Sequence, residues 1–417
     1  MKIRQLAADA KKSSYVLAAA DSSIKNKALL AMAEALERRS AEILSENEHD
    51  IAEGRKKGLS PALIDRLLLD EGRLKGIETS LKDVAALPDP VGEVVGGWKT
   101  PEGLEIQKVR VPFGVILVVY EARPNVTVDA AALCLKTGNA IILRGGSDAY
   151  RSNRILAEVI TGAAIEAGLP AECIQFVPDK DREALLELLQ MKDLIDLVIP
   201  RGGEALKDFL VENSKVPVIY AAGGNCHVYV DKSADLKQAL AVTINAKCQR
   251  PGVCNAAETL LVHEAVAAKF IPEIVKALNQ RKVKLYVDAR TRELMGETDV
   301  KLWKATDKHY ATEFLDMEMA VKVVGSLDEA IEHINHYGTG HSEAIITRDL
   351  ESSRHFAQTV DAAVVYINAS TRFTDGGVFG LGAEIGNSTQ KLHARGPLAL
   401  KELTSTKYVV TGKGHVR

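Results

Sequence analysis

Residues 114–120 read Gly114-Val115-Ile116-Leu117-Val118-Val119-Tyr120, an apolar run of strand length whose surroundings decide the fold. A helical pattern follows over 126–137, and a second apolar run follows over 140–144. Unbroken runs of Val, Ile and Leu that alternate with amphipathic helices are typical of a parallel sheet covered on both faces. This stretch therefore predicts the beginning of an α/β domain.

The same alternation continues toward the C-terminus. The pattern predicts helices over 152–167, 182–189 and 204–213 and strands over 173–177, 194–199 and 216–220. A second alternation of helices and strands runs from Leu236 to Ile367. The 417 residues correspond to two or three domains at about 150 residues each. We therefore expect two α/β domains.

Two other regions have a different texture. The first ninety residues repeat apolar side chains at helical spacing, with charges between them. Strand-like runs at 91–95 and 104–111 flank a turn-rich segment, which predicts a hairpin, and another strand-like run lies at 404–410. The hairpin and this tail either pair with a neighbouring subunit or close their own domain, and the pattern favours neither.

The composition argues against several classes of protein. The 53 basic and 56 acidic residues nearly cancel, unlike the charge of proteins that mainly bind nucleic acid or anionic membranes. The N-terminal residues lack the pattern of a secretory signal, and no apolar run approaches the ~18 residues of a membrane span. Five cysteines without CxxC spacing predict neither a disulfide framework nor a zinc site. We therefore expect a cytoplasmic protein whose cysteines are either buried or reactive.

Gly-rich turns follow three of the predicted strands, although no GxGxxG fingerprint does. The three turns are Arg144-Gly145-Gly146-Ser147, Arg201-Gly202-Gly203 and Gly223-Gly224-Asn225. Ligands of open parallel sheets bind outside the carboxyl ends of the strands. One Gly-Gly turn is more often only a tight turn, but three of them, two preceded by arginine, indicate an anion or nucleotide site.

The segment 245–256 contains two of the five cysteines, Cys248 and Cys254. Pro251 and Gly252 lie just before Cys254, where they expose the backbone and let a substrate approach closely. A thiol in such a turn becomes nucleophilic where positive charge lowers its pKa. A single cysteine is nevertheless more often a buried structural residue, so the segment alone leaves both possibilities open.

The chain resembles the aldehyde dehydrogenase superfamily over nearly its whole length. The motifs that carry this resemblance are 110–116 followed by Arg123-Pro124-Asn125, 141–147, Gly168-Leu169-Pro170, the segment around Cys254, and Glu313-Phe314. The resemblance implies an α/β fold with two parallel-sheet domains and a β-hairpin and tail that serve as an oligomerisation element. We expect a nucleotide-binding domain at 1–233 that includes the 91–111 hairpin, a catalytic domain at 234–368, and a return segment with the oligomerisation tail at 369–417.

The resemblance also implies two catalytic residues. Cys254, rather than Cys248, is implied to be the nucleophile that forms a thioester. Asn125 is implied to donate its side-chain amide to the oxyanion of the tetrahedral intermediate. Without the family, Pro124-Asn125 reads as a turn.

Further residues are implied to bind a nicotinamide cofactor. Family members selective for NAD often carry a glutamate where Ser147 stands, so Ser147 and the positive charge of Arg144 favour NADPH over NADH. Glu313 is implied to hold the nicotinamide ribose, although without the family it reads as a surface residue. The remaining expected cofactor contacts are the turn glycines Gly202, Gly203 and Gly223.

Finer details resemble the members of this superfamily that reduce L-glutamyl 5-phosphate with NADPH, a step of L-proline biosynthesis. The segments concerned are 120–125, 251–259 and 324–346. Ala221 stands where hydrolytic members carry a glutamate base, and an enzyme without that base keeps its thioester until hydride arrives. The alternatives are an ordinary aldehyde dehydrogenase and a catalytically silent protein that keeps the fold.

Some expectations concern partners and further contacts. The resemblance implies a small-molecule substrate and a homo-oligomer, with glutamate 5-kinase as a candidate partner. Three arginines are candidates for the substrate phosphate or carboxylate, and the sequence does not rank them: Arg123, Arg250 and Arg372. The neighbouring histidines His333, His336 and His341 lack acids or cysteines at ligand spacing and predict no metal site.

Overall fold

A computed structural model describes residues 3–178, 182–221 and 223–417. Contacts divide the chain into two compact units. The first unit comprises Met1–Tyr220, Gly380–Gly386 and Leu398–Arg417, and the second comprises Ala221–Phe379 and Asn387–Pro397. Neither unit is continuous in sequence, because the chain returns to the first unit after completing most of the second.

The elements before Ala221 alternate as the sequence predicts after an initial run of helices. In chain order they are α1 (Ile3–Leu17), α2 (Ser22–Arg38), α3 (Ser40–Lys56), α4 (Pro61–Leu67), α5 (Glu71–Ala86), β1 (Val94–Lys99), β2 (Glu105–Pro112), β3 (Val115–Tyr120), α6 (Asn125–Lys136), β4 (Ala140–Gly145), α7 (Tyr150–Glu166), β5 (Ile174–Phe176), α8 (Arg182–Leu189), β6 (Leu197–Arg201) and α9 (Glu204–Asn213). Ser60 caps α4, since its hydroxyl accepts the amide of Leu63 at 3.3 Å.

The second alternation follows from Cys226. Its elements, with the C-terminal strands, are β7 (Cys226–Val230), α10 (Leu236–Cys248), β8 (Ala257–His263), α11 (Glu264–Gln280), β9 (Lys284–Val287), α12 (Ala289–Met295), β10 (Leu302–Lys304), α13 (Asp307–Tyr310), β11 (Glu318–Val324), α14 (Leu327–Tyr337), β12 (Ser342–Ile346), α15 (Leu350–Thr359), β13 (Val364–Ile367), β14 (Asn387–Ser388), β15 (Gly396–Pro397) and β16 (Thr404–Thr411). No helix among the described residues is long and apolar enough to span a bilayer.

The first unit contains a four-stranded parallel sheet in the order β5-β4-β3-β6. Every residue of β3 is buried, as its unbroken apolar run predicts. The prediction of a strand over 216–220 was wrong, because the segment forms only an isolated β-bridge, between Val198 and Val218. Pro217 has no N–H and cannot donate to a ladder.

The predicted hairpin and tail strand form a separate antiparallel sheet in the order β1-β2-β16 within the first unit. Strand β16 pairs with β2 along its whole length, from Thr404 opposite Pro112 to Thr411 opposite Glu105. The hairpin and tail of one chain therefore pair with each other. The sheet leaves large apolar side chains exposed, among them Val94, Trp98, Tyr408 and Val410.

The second unit is built on a seven-stranded parallel sheet in the order β10-β9-β11-β8-β7-β12-β13. Alternate residues of β7 enter different cores. Val228 and Val230 pack in a cluster with α11, whereas Tyr229 packs in a cluster with α14 and α15. Helices therefore cover both faces of this sheet, which confirms the predicted pair of parallel α/β sheets.

Candidate active site

One edge of the first unit's sheet collects most of the predicted cofactor residues. Strands β4, β3 and β6 are neighbours and parallel, so their carboxyl ends lie side by side. The predicted residues at or just beyond those ends are Asn125, Arg144, Ser147, Gly202 and Gly203. This is the edge at which ligands of open parallel sheets bind.

Asn125 is the first residue of α6, and its side chain is exposed. Its amide nitrogen donates to the carboxylate of Asp129 one helical turn later, at 2.9 Å. Burial raises the pKa of Asp129, and the hydrogen bond from Asn125 lowers it. Both residues line a cavity of 310 Å³ within the first unit, so the predicted oxyanion donor lies beside space large enough for a small ligand.

Arg144 lies near the end of β4, and Ser147 opens the 3-10 helix Ser147–Ala149 that leads into α7. Ser147 is exposed, whereas Arg144 is half-buried with its Nη1 atom 3.3 Å from the carbonyl oxygen of Gly145. Ser147 itself carries no charge, and the carboxylate of the next residue, Asp148, forms an ion pair with Lys57 at 2.9 Å.

Gly203 caps the N-terminus of α9. Its backbone N–H donates to the Oε2 atom of Glu121 at 3.0 Å. A carboxylate at this position indicates that the helix end accepts negative charge, since free amides and the helix dipole both favour an anion.

Cys254 lies in the turn between α10 and β8 in the second unit, and it is the exposed cysteine of the five. Burial raises the pKa of the Cys134, Cys226 and Cys248 thiols, and that of Cys173 to about 12. Those four thiols are therefore poorly suited to form thiolates. Cys254 is thus more accessible than Cys248, and its role as the nucleophile stays a prediction.

Gly224 brings the predicted residues of the second unit together. A Cβ atom at Gly224 would overlap the carbonyl group of Cys254. The N–H of Gly224 donates to the Oε1 atom of Glu313 at 2.6 Å. Gly223, Cys254 and Glu313 are therefore close together in space. The thiol of Cys226 also holds the Cys254 backbone in place by donating to its carbonyl oxygen at 3.2 Å.

Comparison with known proteins shows to which family this chain belongs. The profile of the aldehyde dehydrogenase family matches residues 2–293 and 319–409. The chain belongs to the aldehyde dehydrogenase family. A gamma-glutamyl phosphate reductase from Heliobacterium modesticaldum is 56% identical over 408 residues, which cover 98% of this chain and 97% of that protein. One from Syntrophomonas wolfei is 51% identical over 416 residues, covering 100% and 98%.

Solved structures agree with this assignment. A crystal structure of gamma-glutamyl phosphate reductase from Thermotoga maritima has a TM-score of 0.97 and 47% identity, with 100% of both chains covered. An acetylating aldehyde dehydrogenase from Geobacillus thermoglucosidasius has a TM-score of 0.70 at 18% identity, covers 100% of this chain and 97% of its own, and shows the fold alone. The predicted resemblance to the family, and within it to the gamma-glutamyl phosphate reductases, is confirmed.

Two residues of this aldehyde dehydrogenase family member escaped the sequence analysis. Lys247 and Glu258 flank residues 249–256, which carry Cys254 and are called the nucleophile turn after its predicted role. The two side chains are fully buried and form an ion pair at 2.5 Å. The second carboxylate oxygen of Glu258 accepts the N–H of Leu315 at 3.2 Å, two residues beyond Glu313. Burial raises the pKa of Glu258 to about 7. The sequence held one signal for this pair. A lysine lies within an apolar helical pattern, and a glutamate lies within an apolar strand pattern.

Arg372 was one of three unranked arginines in the sequence, and the structure places it against the nucleophile turn. Its Nε atom donates to the Oε1 atom of Gln249 at 2.8 Å, and its Nη1 atom contacts the Oδ1 atom of Asn255. Neither contact could be predicted, because Arg372 is more than a hundred residues from both partners in sequence.

The predicted histidines do not form a single cluster. His333 is buried and packs edge-on against Tyr310, with ring centroids 4.9 Å apart. His341 is buried elsewhere in the second unit, with its Nδ1 atom 2.8 Å from the Ser342 hydroxyl. Among the described residues, no three His, Cys, Asp or Glu side chains are grouped so that they could hold a metal ion.

Proposed function

We propose that this protein reduces L-glutamyl 5-phosphate to L-glutamate 5-semialdehyde and phosphate with NADPH, through a thioester on Cys254, as a step of L-proline biosynthesis. The observation that carries the proposal is an exposed Cys254 in a turn that packs on Gly224. It occurs in a chain 56% identical over 408 residues to a gamma-glutamyl phosphate reductase. Full-length similarity at this level supports a common reaction.

Cys254 performs the covalent step in this proposal. Its thiolate attacks the acyl phosphate carbonyl, and the tetrahedral intermediate expels phosphate to leave a thioester, which divides one difficult reduction into two easier steps. The side-chain amide of Asn125 and the backbone amide of Cys254 stabilise the oxyanion. Such a donor contributes about 2.7–4 kcal/mol in the transition state. A bound nicotinamide would supply the hydride that reduces the thioester carbonyl carbon. The Cys254 thiolate then leaves as the carbon–sulfur bond breaks, and the aldehyde is released.

Ala221 supports reduction rather than hydrolysis. It occupies the position at which hydrolytic family members carry a glutamate base, and it has no group that could activate water. A thioester that is not hydrolysed survives until it is reduced. An ordinary aldehyde dehydrogenase, the main alternative, requires that base.

Several residues suit NADPH. The N–H of Gly203, after Gly202, already binds a carboxylate at the start of α9 and is suited to a cofactor phosphate. Arg144 offers a positive charge to the 2′-phosphate of NADPH. Ser147 does not repel that phosphate, as the glutamate at this position in NAD-selective family members would. Glu313, which accepts the N–H of Gly224, binds the nicotinamide ribose together with Gly223 in this proposal.

The remaining parts of the proposal concern organisation. The first 233 residues bind nucleotide, and residues 234–368 contain the catalytic cysteine. The β1-β2-β16 sheet, with its exposed Trp98 and Tyr408, joins subunits into a homo-oligomer. The reaction takes place in the cytoplasm, and glutamate 5-kinase supplies the unstable acyl phosphate. Measurement of the oligomeric state after Trp98→Lys tests the subunit contact.

The reverse reaction tests the proposed chemistry most directly. NADP reduction by glutamate semialdehyde is measured with and without inorganic phosphate, for the wild type and Cys254→Ala, with Cys248→Ala as the matched control. We expect turnover to require both phosphate and Cys254 and to survive Cys248→Ala. Turnover without phosphate would identify a hydrolytic aldehyde dehydrogenase, and full activity of Cys254→Ala would exclude the thioester.

A further inference from the structure

Arg372 holds both sides of the nucleophile turn. Gln249, which its Nε atom contacts at 2.8 Å, directly follows α10, and Asn255, which its Nη1 atom contacts, directly follows Cys254. One guanidinium group therefore spans the turn that presents the thiol. A guanidinium has five N–H donors, so these two contacts do not exhaust its capacity.

The backbone around Arg372 fixes the side chain in this position. Arg372 lies in the 3-10 helix Thr371–Phe373. The hydroxyl of Thr371 donates to the carbonyl oxygen of Asn255 at 2.7 Å, and the side-chain amide of Asn255 donates to the carbonyl oxygen of Thr374 at 2.9 Å. These hydrogen bonds attach the helix to the turn, and the guanidinium is therefore preorganised beside Cys254.

A second cation belongs to the same turn. Arg250 is exposed and lies four residues before Cys254. Burial has the largest effect on the pKa of Arg372 and lowers it, and the positive charge of Arg250 lowers it further. The charges of Cys254 and Asp375 raise this pKa. The two arginines and the thiol thus share one electrostatic neighbourhood. Because like charges repel, a bound anion would stabilise the pair.

We propose that Arg372 and Arg250 form the subsite for the phosphate group that the substrate loses at Cys254. The inference rests on the proposed function. At neutral pH a phosphate carries about −1.5 to −2 charges, so it suits two cations better than a carboxylate does. Arginine also binds phosphate through two parallel N–H donors.

The subsite acts in both directions of the reaction. In reduction, the bond between the carbonyl carbon and the phosphate oxygen breaks as the intermediate collapses, and phosphate leaves with the electron pair. In the reverse direction, a phosphate oxygen attacks the thioester carbonyl carbon, the carbon–sulfur bond breaks, and the thiolate of Cys254 leaves. The arginines neutralise the phosphate charge in both steps, which gives phosphate an advantage over water as the acyl acceptor.

Phosphate kinetics in the reverse reaction test the subsite. The KM for inorganic phosphate is measured with the wild type, Arg372→Met, Arg372→Lys and Arg250→Met, and with Arg290→Met as an exposed control in the same unit. We expect Arg372→Met to raise this KM about ten-fold, equivalent to about 1.4 kcal/mol, with little change in the KM for the semialdehyde. Arg372→Lys is intermediate, and Arg290→Met is unchanged.

An assay without turnover separates the subsite from the reaction. Inorganic phosphate should slow alkylation of Cys254 by iodoacetamide in the wild type and should protect Arg372→Met much less. If Arg372→Met does not fold, as judged by circular dichroism, the exposed Arg250→Met carries both tests. Wild-type phosphate KM and protection in the folded arginine variants would overturn the subsite. Wild-type turnover without phosphate would instead overturn the proposed function.

Discussion

The candidate residues of the two units are held in place differently. In the first unit, two candidate side chains have local contacts: Asn125 binds Asp129 four residues later, and Arg144 binds the carbonyl oxygen of the next residue. The backbone of Gly203 instead binds Glu121 across 82 positions. In the second unit, Gly224 binds Glu313 across 89 positions of sequence, and Asn255 contacts Arg372 across 117. The nucleophile turn is therefore held by tertiary contacts, whereas the side chains of Asn125 and Arg144 also bind within their own elements.

This difference follows from the chemistry proposed at each site. A thiol that attacks a carbonyl must be held within about 1 Å of its productive position, since a misplacement of that size costs about a hundred-fold in rate. A phosphate at a helix N-terminus is bound by backbone amides. Its binding therefore depends on where the helix begins and less on the exact position of any one side chain. Single substitutions around Cys254 should consequently have larger effects than substitutions at the strand ends of the first unit.

The largest effect is expected from the buried pair beside the nucleophile turn. Glu258→Ala leaves Lys247 fully buried without its partner, which destabilises a protein by about 3–5 kcal/mol. Urea denaturation measures the change. Asp193→Ala, which removes the exposed pair with Arg4 in the first unit, should change stability little. The double variant Lys247→Met with Glu258→Leu should recover most of the stability, and a continued loss would contradict this account.

Two glycine substitutions compare the units directly. Gly224→Ala would push a methyl group into the backbone of Cys254, so we expect kcat to fall about a hundred-fold. A Cβ atom at Gly202 would instead approach the side chains of Glu121 and Leu206 at 2.6 and 2.7 Å. Because side chains can move, Gly202→Ala should change the KM for NADPH only modestly. Equal losses of kcat in the two variants would remove the distinction between the units.

The sequence was sufficient where a feature depends on local pattern. The unbroken apolar run 115–120 predicted a buried strand, and Pro251 and Gly252 predicted an accessible turn at Cys254. It was insufficient where a feature depends on residues distant in sequence. The apolar pattern around Lys247 is a weak local signal, and it does not identify Glu258 as the partner of this fully buried lysine.

Gly224 illustrates the same limit within a motif that the sequence did identify. The Gly223-Gly224 turn was predicted as a ligand loop, with Gly223 as the cofactor contact. The structure adds that Gly224 lacks a side chain because the Cys254 backbone occupies that space. Packing against a partner thirty residues away cannot be deduced from a Gly-Gly pair, since the pattern is the same in any tight turn.

A buried histidine should make the second unit sensitive to acid. Burial, followed by the charges of His227, Lys322 and His336, lowers the pKa of His333 to about 2. In the unfolded chain its pKa is about 6.5, so the unfolded state binds more protons below that pH. Stability should therefore be present above pH ~6.5 and decline by about 1.4 kcal/mol per pH unit as the pH falls toward the folded pKa.

The variant His333→Leu isolates this contribution. Urea denaturation between pH 6.5 and 5 should show a smaller slope of stability with pH than the wild type does. His49→Leu removes an exposed histidine of the first unit and should leave the slope unchanged. Identical slopes in the wild type and His333→Leu would mean that folding does not lower the pKa of His333.

The smallest effect is expected at the strand end of the first unit, where it tests cofactor choice. Arg144→Met should raise the KM for NADPH about ten-fold, because a contact with the 2′-phosphate at this solvent-accessible strand end should contribute near the lower end of the roughly 1.5–3 kcal/mol of a charge-assisted hydrogen bond. The KM for NADH should stay nearly constant, since NADH lacks that phosphate. Ser147→Glu should shift the preference further toward NADH by adding a carboxylate that repels the phosphate and binds ribose hydroxyls. Arg154→Met, an exposed arginine of α7, is the control, and equal losses for both cofactors would assign Arg144 a structural role.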